Sequence, residues 1–406
     1  MKVLAIVAEY NPLHNGHRYQ IERAKEISGA DHIIVIMSGS FTQQGNISIL
    51  NKFDRANIAI TEGADLVLEL PTIYSLSSAE DFAFGAISIL NSLGCIDYLS
   101  FGAECEDLDL LNNIVNKVSI NEPVINDYIS KNISNGDSFV KTRHNALKLF
   151  LDVAEVEEIE KPNNILAIEY LRALKKLNST ITPVIVKRQG AEHNSDLVTN
   201  VNNFQYFTSS TYIRNLIKAS KYKNNSVNII SPLEDIIPLS CAEYLKTNPI
   251  CLNENLLQLL RYKIFCMKPE NIKNIFGVVE GLENRIYNSA SNSLTYLDFV
   301  KSIKTKRFTE SRIKRILINI LLDITYNKYS KLKGVLYSRV LKVKNNYLLK
   351  KINKTSTIPI ITTIKENKIK NLDNILLESL NLDISASNIR EIANNSTTLT
   401  DFTNKI

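Results

Sequence analysis

The sequence predicts an α/β protein: a doubly wound parallel sheet of Rossmann-like form, followed by a mostly α-helical C-terminal domain. Three observations carry this. Through about residue 225, apolar β-branched runs alternate with helical patterns. The runs are apolar at successive positions, as strands covered on both faces must be, and parallel strands need helical crossovers between them. Beyond about residue 230 the strand signals thin out while helical periodicity continues. At 406 residues the chain also outgrows a single hydrophobic core. We therefore expect two domains, 1–225 and 226–406.

The elements follow in order. Lys2–Ala8 reads as the first strand and about Gly16–Ser28 as the first helix. His32–Ser38 is a second buried strand, followed by a helix over Lys52–Gly63. Asp65–Leu70 is a third strand, stopped by Pro71, which has no amide hydrogen to give a ladder. A helix over about Ala79–Leu93 leads to a fourth strand at Asp97–Gly102. A helix over about Asn164–Leu177 precedes a fifth strand at Thr182–Arg188, and a helix capped near Ser209 or Ser210 closes the unit. In the second half Leu252–Met267, Leu297–Lys304 and Glu310–Ile324 read as helices, and Ile358–Ile364 as an isolated strand.

Composition narrows the function. With 44% apolar and 22% charged residues the chain has the mass for large cores, which excludes a mainly disordered protein. No apolar run approaches the roughly 18 residues of a membrane span, and the N-terminus, meeting Glu9 early, reads as a strand and not a signal peptide. The five cysteines (95, 105, 241, 251, 266) are scattered without CxxC spacing, so neither a disulfide framework nor a zinc site is expected. A cytoplasmic protein is the expectation. The net charge of +6 is uneven: residues 301–354 hold 16 Lys+Arg against Glu310 and Asp323, leaving 32 basic and 40 acidic residues elsewhere. Such a segment is either a solvated helical face or a surface for polyanions, where each phosphate contact releases counterions. Phe308, Tyr326, Tyr329, Tyr337 and Tyr347 lie among these charges, either as core or as platforms for unpaired bases.

The chemistry concentrates after the first strand, in Glu9-Tyr10-Asn11-Pro12-Leu13-His14-Asn15-Gly16-His17. Pro12 ends the strand, Gly16 removes a side chain where the backbone passes close to something, and His17 opens a helix. Two imidazoles at a helix N-terminus, on the carboxyl edge of a parallel sheet, suit a phosphate and the charge that develops when it is attacked. Zinc is disfavoured because no third ligand is near in sequence. At the same edge Gly102 is either a turn glycine or a bare backbone that a ligand can approach, Arg188 is either a surface arginine or a set of planar donors for phosphate, and Ser209–Arg214 places hydroxyls and a guanidinium in a helix's first turn.

This string resembles the HxGH motif of a nucleotidyltransferase superfamily that includes the class I aminoacyl-tRNA synthetases. Further strings follow in order: SGSFTQQG (38–45), GADLVLELP (63–71), FGAE (101–104), PNNILAIEYL (162–171), KRQGAEHN (187–194), SSTYIR (209–214), GLENRI (281–286) and KTKRFTESRIKR (304–315). The series is similar to one family over nearly the whole chain, the bacterial tRNA(Met) cytidine acetate ligases. The resemblance implies an enzyme that joins acetate to AMP using ATP, releases pyrophosphate, and passes the acetyl group to the wobble cytidine of elongator tRNA(Met). It implies ATP as substrate, accompanied by Mg2+, and no acetyl-CoA. His14 and His17 are then the catalytic pair. The implied ATP contacts are Val7, Ala8, Glu9, Tyr10, Asn11, Pro12, Leu13, His14, Asn15, Gly16, His17, Arg18, Tyr19 and Gln20, joined by Gly102, Arg188, Arg214 and either Asn163 or Asn164. Lys304, Lys306, Arg307, Arg312, Lys314 and Arg315 would hold the phosphates of the anticodon arm.

Two positions depart from the family pattern. Leu13 stands where Phe is usual, and Gln44 where Arg is usual, which removes a charge from that loop. Ser385–Arg390 echoes SSTYIR and is expected to be a helix cap only. Two rival readings are a nucleotidylyltransferase for a small metabolite, which would not need the basic second half, and a non-catalytic tRNA-binding protein, which would not need the histidine pair.

Overall fold

The computed structural model describes residues 1–132, 139–188, 199–201, 205–223, 233–344, 346–365, 372–397 and 400–403. The first part runs β1 (Val3–Ala8), α1 (Asn15–Ser28), β2 (His32–Ser38), α2 (Lys52–Thr61), β3 (Leu66–Leu70), α3 (Thr72–Ser75), α4 (Ala79–Ser92) and β4 (Tyr98–Ala103). Helices α5 (Leu108–Ile120), α6 (Glu122–Asn132), α7 (Phe139–Leu147), α8 (Val153–Glu160) and α9 (Pro162–Lys176) lead to β5 (Thr182–Lys187). A small hairpin of β6 (Thr199–Val201) and β7 (Gln205–Phe207) precedes α10 (Ser210–Lys223). Then come α11 (Leu239–Thr247), a 3₁₀ turn at Asn253–Leu256, α12 (Leu257–Ile272), α13 (Leu282–Asn292), α14 (Tyr296–Ile303), α15 (Glu310–Leu321) and α16 (Tyr326–Leu332). The chain ends with β8 (Ser338–Val343), α17 (Asn346–Thr355), β9 (Ile360–Ile361), α18 (Asn374–Ala393) and α19 (Thr400–Thr403).

The main sheet has the order β5-β4-β1-β2-β3-β8-β9. The first five strands are parallel, β8 is antiparallel to β3, and β9 is parallel to β8. Residues 3, 4, 5 and 6 of β1 alternate between two cores, which is why the run had to be apolar throughout. Val3 and Ala5 face a core shared with α4, α9, α12 and α15, while Leu4 and Ile6 face a core shared with α1, α2, α10 and α11. Both faces of the sheet are covered, as a doubly wound fold requires.

The second half is mainly helical, and it also feeds the sheet. Ile358–Ile364 is not an isolated strand, because Ile360–Ile361 pairs with β8, a strand the sequence did not announce. The sheet is thus shared across the boundary drawn at residue 225. The Ser385–Arg390 string is not a cap either. It lies inside α18, where buried Arg390 donates to the carbonyls of Ser48 and Ile49 at 2.9 and 2.8 Å and pairs with Glu391. A second buried network fastens this end of the chain. Lys52 Nζ lies 2.7 Å from both Glu69 and Asp401, and Arg339 bridges the same two carboxylates.

Strand order places the site. From β1 the chain winds through β2 and β3 in one direction, then returns to set β4 and β5 on the other side. The crevice at the carboxyl ends of β1 and β4 is the topological switch point, where doubly wound sheets bind ligands.

Candidate active site

A cavity opens at that crevice. Val7, Ala8, Glu9, Tyr10, Asn11, His14, Gly16, His17, Tyr19, Gln20, Gly102, Asn163, Arg188 and Arg214 all line it, so most of the residues selected from sequence converge. Five do not line it. Leu13 is core at 1% exposure, and Pro12 lends its carbonyl to Ser210. Asn15 donates to the carbonyls of Tyr206 and Asp235, and Arg18 pairs outward with Glu22 and Glu62. Asn164 is wholly buried, accepting from the amides of Glu104 and Cys105 and donating to Glu158. Its neighbour Asn163 is the one on the cavity wall, where its Oδ1 accepts from Arg188 at 2.9 Å.

The histidines form one unit. His14 is the N-cap of α1, and its Nδ1 accepts the Gly16 amide at 3.1 Å. His17 reaches back so that its Nδ1 accepts the His14 amide at 3.3 Å, which completes a capping box built from imidazoles. The rings stack with centroids 3.8 Å apart, and Tyr10 meets His17 edge-on at 5.1 Å. Gly16 is glycine for this purpose, since a Cβ there would lie 3.0 Å from the His14 ring. Burial is the main cause holding both imidazoles below their ordinary range. His14 is depressed well below 6.5, with His17, Arg188 and Arg214 adding, and His17 is depressed to about 3, with Arg188 adding. Both rings are therefore neutral near pH 7. With each Nδ1 spent as an acceptor, each ring carries its proton on Nε2 and is a donor there.

The first-turn amides of α1 are already engaged: Asn15 donates to Ile236, Gly16 to the His14 ring, and His17 to the His14 carbonyl. This end therefore offers an anion the helix dipole and two ring N–H groups. The cationic wall is supplied by Arg188 and Arg214. Arg214 donates to the Asn11 carbonyl at 2.7 Å and to Thr211 Oγ1 at 2.9 Å. Burial lowers both guanidinium pKa values, opposed by Glu104 for Arg188 and by Glu9 for Arg214. Half-stripped of water and only partly compensated, two such cations favour an anionic ligand. Glu9 is the one carboxylate on the wall among the described residues. Its Oε1 accepts the Gln43 amide at 2.7 Å, and burial raises its pKa above the usual carboxylate value.

Sequence reasoning missed part of the wall. Gln43 and Gln44 belong to the SGSFTQQG turn and Asn46 follows it, a signal present without being read as lining, whereas Ser209, Ser210 and Thr211 line the cavity as the SSTYIR string leads us to expect. Phe82, Phe101, Leu166 and Tyr170 form an apolar side of the cavity, and nothing in their helical or strand pattern separates them from core.

The basic stretch divides into two sets. Lys304, Lys306 and Arg307 are exposed on the loop between α14 and α15. Arg312, Lys314 and Arg315 turn inward. Arg312 covers the Phe308 ring at 4.9 Å, Lys314 pairs with Glu310 at 2.7 Å, and Arg315 donates to the Gln43 carbonyl at 2.9 Å. Burial lowers Arg315 to about 10, with Arg312 adding. The helix presses on the turn at Gly45, whose φ is 75° and whose missing Cβ would lie 2.6 Å from the Arg315 amide nitrogen. Of the interleaved aromatics, Tyr329 and Tyr337 are core, while Tyr326 and Tyr347 are exposed.

Comparison with known proteins agrees with this geometry. The family model for HIGH nucleotidyl transferases matches residues 1–405. A tRNA(Met) cytidine acetate ligase of Acetivibrio thermocellus is 36% identical over 405 residues, covering 96% of this chain and 94% of the relative. One from Clostridium kluyveri is 40% identical over 389 residues, covering 90% and 91%. Among solved structures, Thermotoga maritima TmcAL bound with alpha-thio ATP superposes with a TM-score of 0.86 at 30% identity, covering 98% of this chain and 96% of that one. No described helix is long and apolar enough to cross a membrane.

Proposed function

The chain belongs to the HIGH nucleotidyltransferase family, among its tRNA(Met) cytidine acetate ligases, and from that premise we propose how its own residues carry out the reaction. ATP and acetate are joined to acetyl-AMP, and the acetyl group then passes to the exocyclic amine of the wobble cytidine of elongator tRNA(Met). The observation that carries the reading is the stacked, neutral imidazole pair on the same wall as Arg188 and Arg214, at the sheet's switch point.

Acetate is a poor acylating agent, so adenylation supplies the leaving group. A carboxylate oxygen attacks the α-phosphorus, the bond to the bridging oxygen breaks, and pyrophosphate leaves with that electron pair. No covalent bond to the protein is needed, so its residues position groups and stabilise charge. The Nε2–H groups of His14 and His17 donate to the phosphoryl oxygens, while Arg188 and Arg214 hold the rest of the triphosphate. Asn163, by fixing the Arg188 guanidinium, serves the same end. In the second step the cytidine amine forms a C–N bond to the acetyl carbon. The C–O bond to AMP breaks, AMP leaves with the pair, and the amine's proton passes to Glu9. A wobble base lies in a single-stranded loop, so it can be splayed out without opening a duplex. Lys304, Lys306 and Arg307 contact the anticodon arm's phosphates, and Arg312, Lys314 and Arg315 hold the helix and turn behind them.

The metal is more limited. Among the described residues no group of three or more His, Cys, Asp and Glu stands ready for an ion, and the wall offers one carboxylate. A resident divalent ion does not fit this donor set, so Mg2+ enters only as part of the ATP substrate.

The test is acetate-dependent exchange of labelled pyrophosphate into ATP. The wild type should catalyse it without tRNA or acetyl-CoA. His17→Ala should lose roughly 100-fold or more of the rate, the scale of removing a preorganised transition-state donor, while tRNA binding stays intact. Wild-type exchange in that variant would remove the assignment.

A further inference from the structure

A second cavity of about 520 Å3 lies beside the first, within the roughly 300–1,000 Å3 usual for small-molecule sites. The two share a wall of Gln44, Asn46, Thr211 and Arg214. The far side of the second is built by α14, the first turn of α15 and the 3₁₀ turn at 253–256. We propose that this second cavity receives the flipped-out cytosine of the acceptor and presents its amine to the acetyl-adenylate across the shared wall. The assignment rests on the reading of the first cavity as the adenylation site.

Three features of the lining point to a flat, neutral, hydrogen-bonding ring. Ile47, Leu252, Leu297 and Val300 supply apolar surface for the faces of a base. Tyr296 lines the cavity at 3% exposure, and its hydroxyl has no hydrogen-bond partner among the described residues. A buried hydroxyl without a partner costs about 1–3 kcal/mol, a cost that a ligand's polar edge would remove. Apart from Arg214, which faces the first cavity as well, the charges on the wall are matched. Lys218 pairs with Glu254, and Lys314 with Glu310 at 2.7 Å, so these four side chains add no net charge to select a second phosphate or an acid.

The surroundings set the direction of entry. Lys314 sits on the cavity wall, and the exposed Lys304, Lys306 and Arg307 lie on the loop leading into the same helix. An RNA strand with its phosphates on that loop therefore has a base-sized opening beneath it. The Gln43–Gln44 turn separates the two cavities, held by Glu9 from one side and Arg315 from the other.

The experiment uses the full chain with two assays on the same preparations: acetate-dependent pyrophosphate exchange, and acetyl transfer to a tRNA(Met) transcript. Leu297 is 42% exposed, so Leu297→Trp fills the opening without disturbing a packed core. Exchange should stay within about two-fold of wild type while transfer falls about 100-fold, the cost of a reacting group displaced by an ångström or more. Tyr296→Phe removes only the hydroxyl, and it should lower transfer about ten-fold, the worth of one hydrogen bond, with exchange unchanged. If Leu297→Trp lowers both reactions, Tyr296→Phe decides on the same two assays. Wild-type transfer with intact exchange overturns the proposal. Absence of acetate-dependent exchange in the wild type would instead overturn the reading of the first cavity.

Discussion

Each histidine of the pair has its Nδ1 committed to a backbone amide, so neither ring can rotate to present a different nitrogen. That commitment is a device for holding two neutral donors in place, and it has a measurable consequence in acid. Burial keeps His17 near 3 in the folded chain, against 6.5 when exposed. Between those values the unfolded chain binds a proton that the folded chain does not. The His17 contribution to stability is therefore constant above pH 6.5 and falls on acidification below it, by up to about 1.4 kcal/mol per pH unit for one proton. Urea titrations at pH 7 and pH 5 should show His17→Gln less acid-sensitive than wild type; an equal loss would contradict the buried neutral ring. The pair was legible from sequence because HxGH joins chemistry to a helix start. Its internal hydrogen bonds were not, since sequence gives no ring orientation. The choice between Asn163 and Asn164 needed the structure for a similar reason. Both stand in the first turn of the same helix, and only their side-chain partners tell wall from support.

At the scale of elements, the five strands of the first 188 residues and helices α1, α2, α4 and α9 follow the apolar period closely, because strands buried on both faces leave an unbroken signal, whereas α5 to α8 were not read. β8 gave no such signal. It sits within the basic segment, with Arg339 and Lys342 interrupting its apolar run, and its pairing with β3 closes a long loop that no local pattern reports. Of the C-terminal helices α12, α14 and α15 were read, whereas α18 and α19 were opaque, since their polar residues look like surface and several are in fact buried. Asp401 of α19 shows this most clearly, because it joins Lys52 of α2, Glu69 of β3 and Arg339 of β8 in one network: each is at most 4% exposed and each depends on the others. Removing one member leaves uncompensated charge, so Lys52→Met should destabilise the fold by about 3–5 kcal/mol. Thermal or urea unfolding would measure it, and a loss below about 1 kcal/mol would mean that the network holds nothing together.

For the whole molecule, the uneven charge acquires a shape. The cavity's cations are inward and few, and the loop at 304–307 carries the outward ones. If that loop meets RNA phosphates, changing Lys304, Lys306 and Arg307 together to Ala should flatten the salt dependence of tRNA binding by roughly 0.7 per contact. Pyrophosphate exchange should be unaffected; an unchanged salt slope would move the RNA elsewhere. The division into a catalytic half and a tRNA-binding half is then one of task, because the sheet itself draws strands from both. The deepest claim is that acetate attacks the innermost phosphorus of ATP. Doubly 18O-labelled acetate tests it in one turnover with tRNA(Met). The account predicts one heavy oxygen in the released AMP and none in pyrophosphate, whereas label appearing in inorganic phosphate, or unlabelled AMP beside acetylated tRNA, would contradict it.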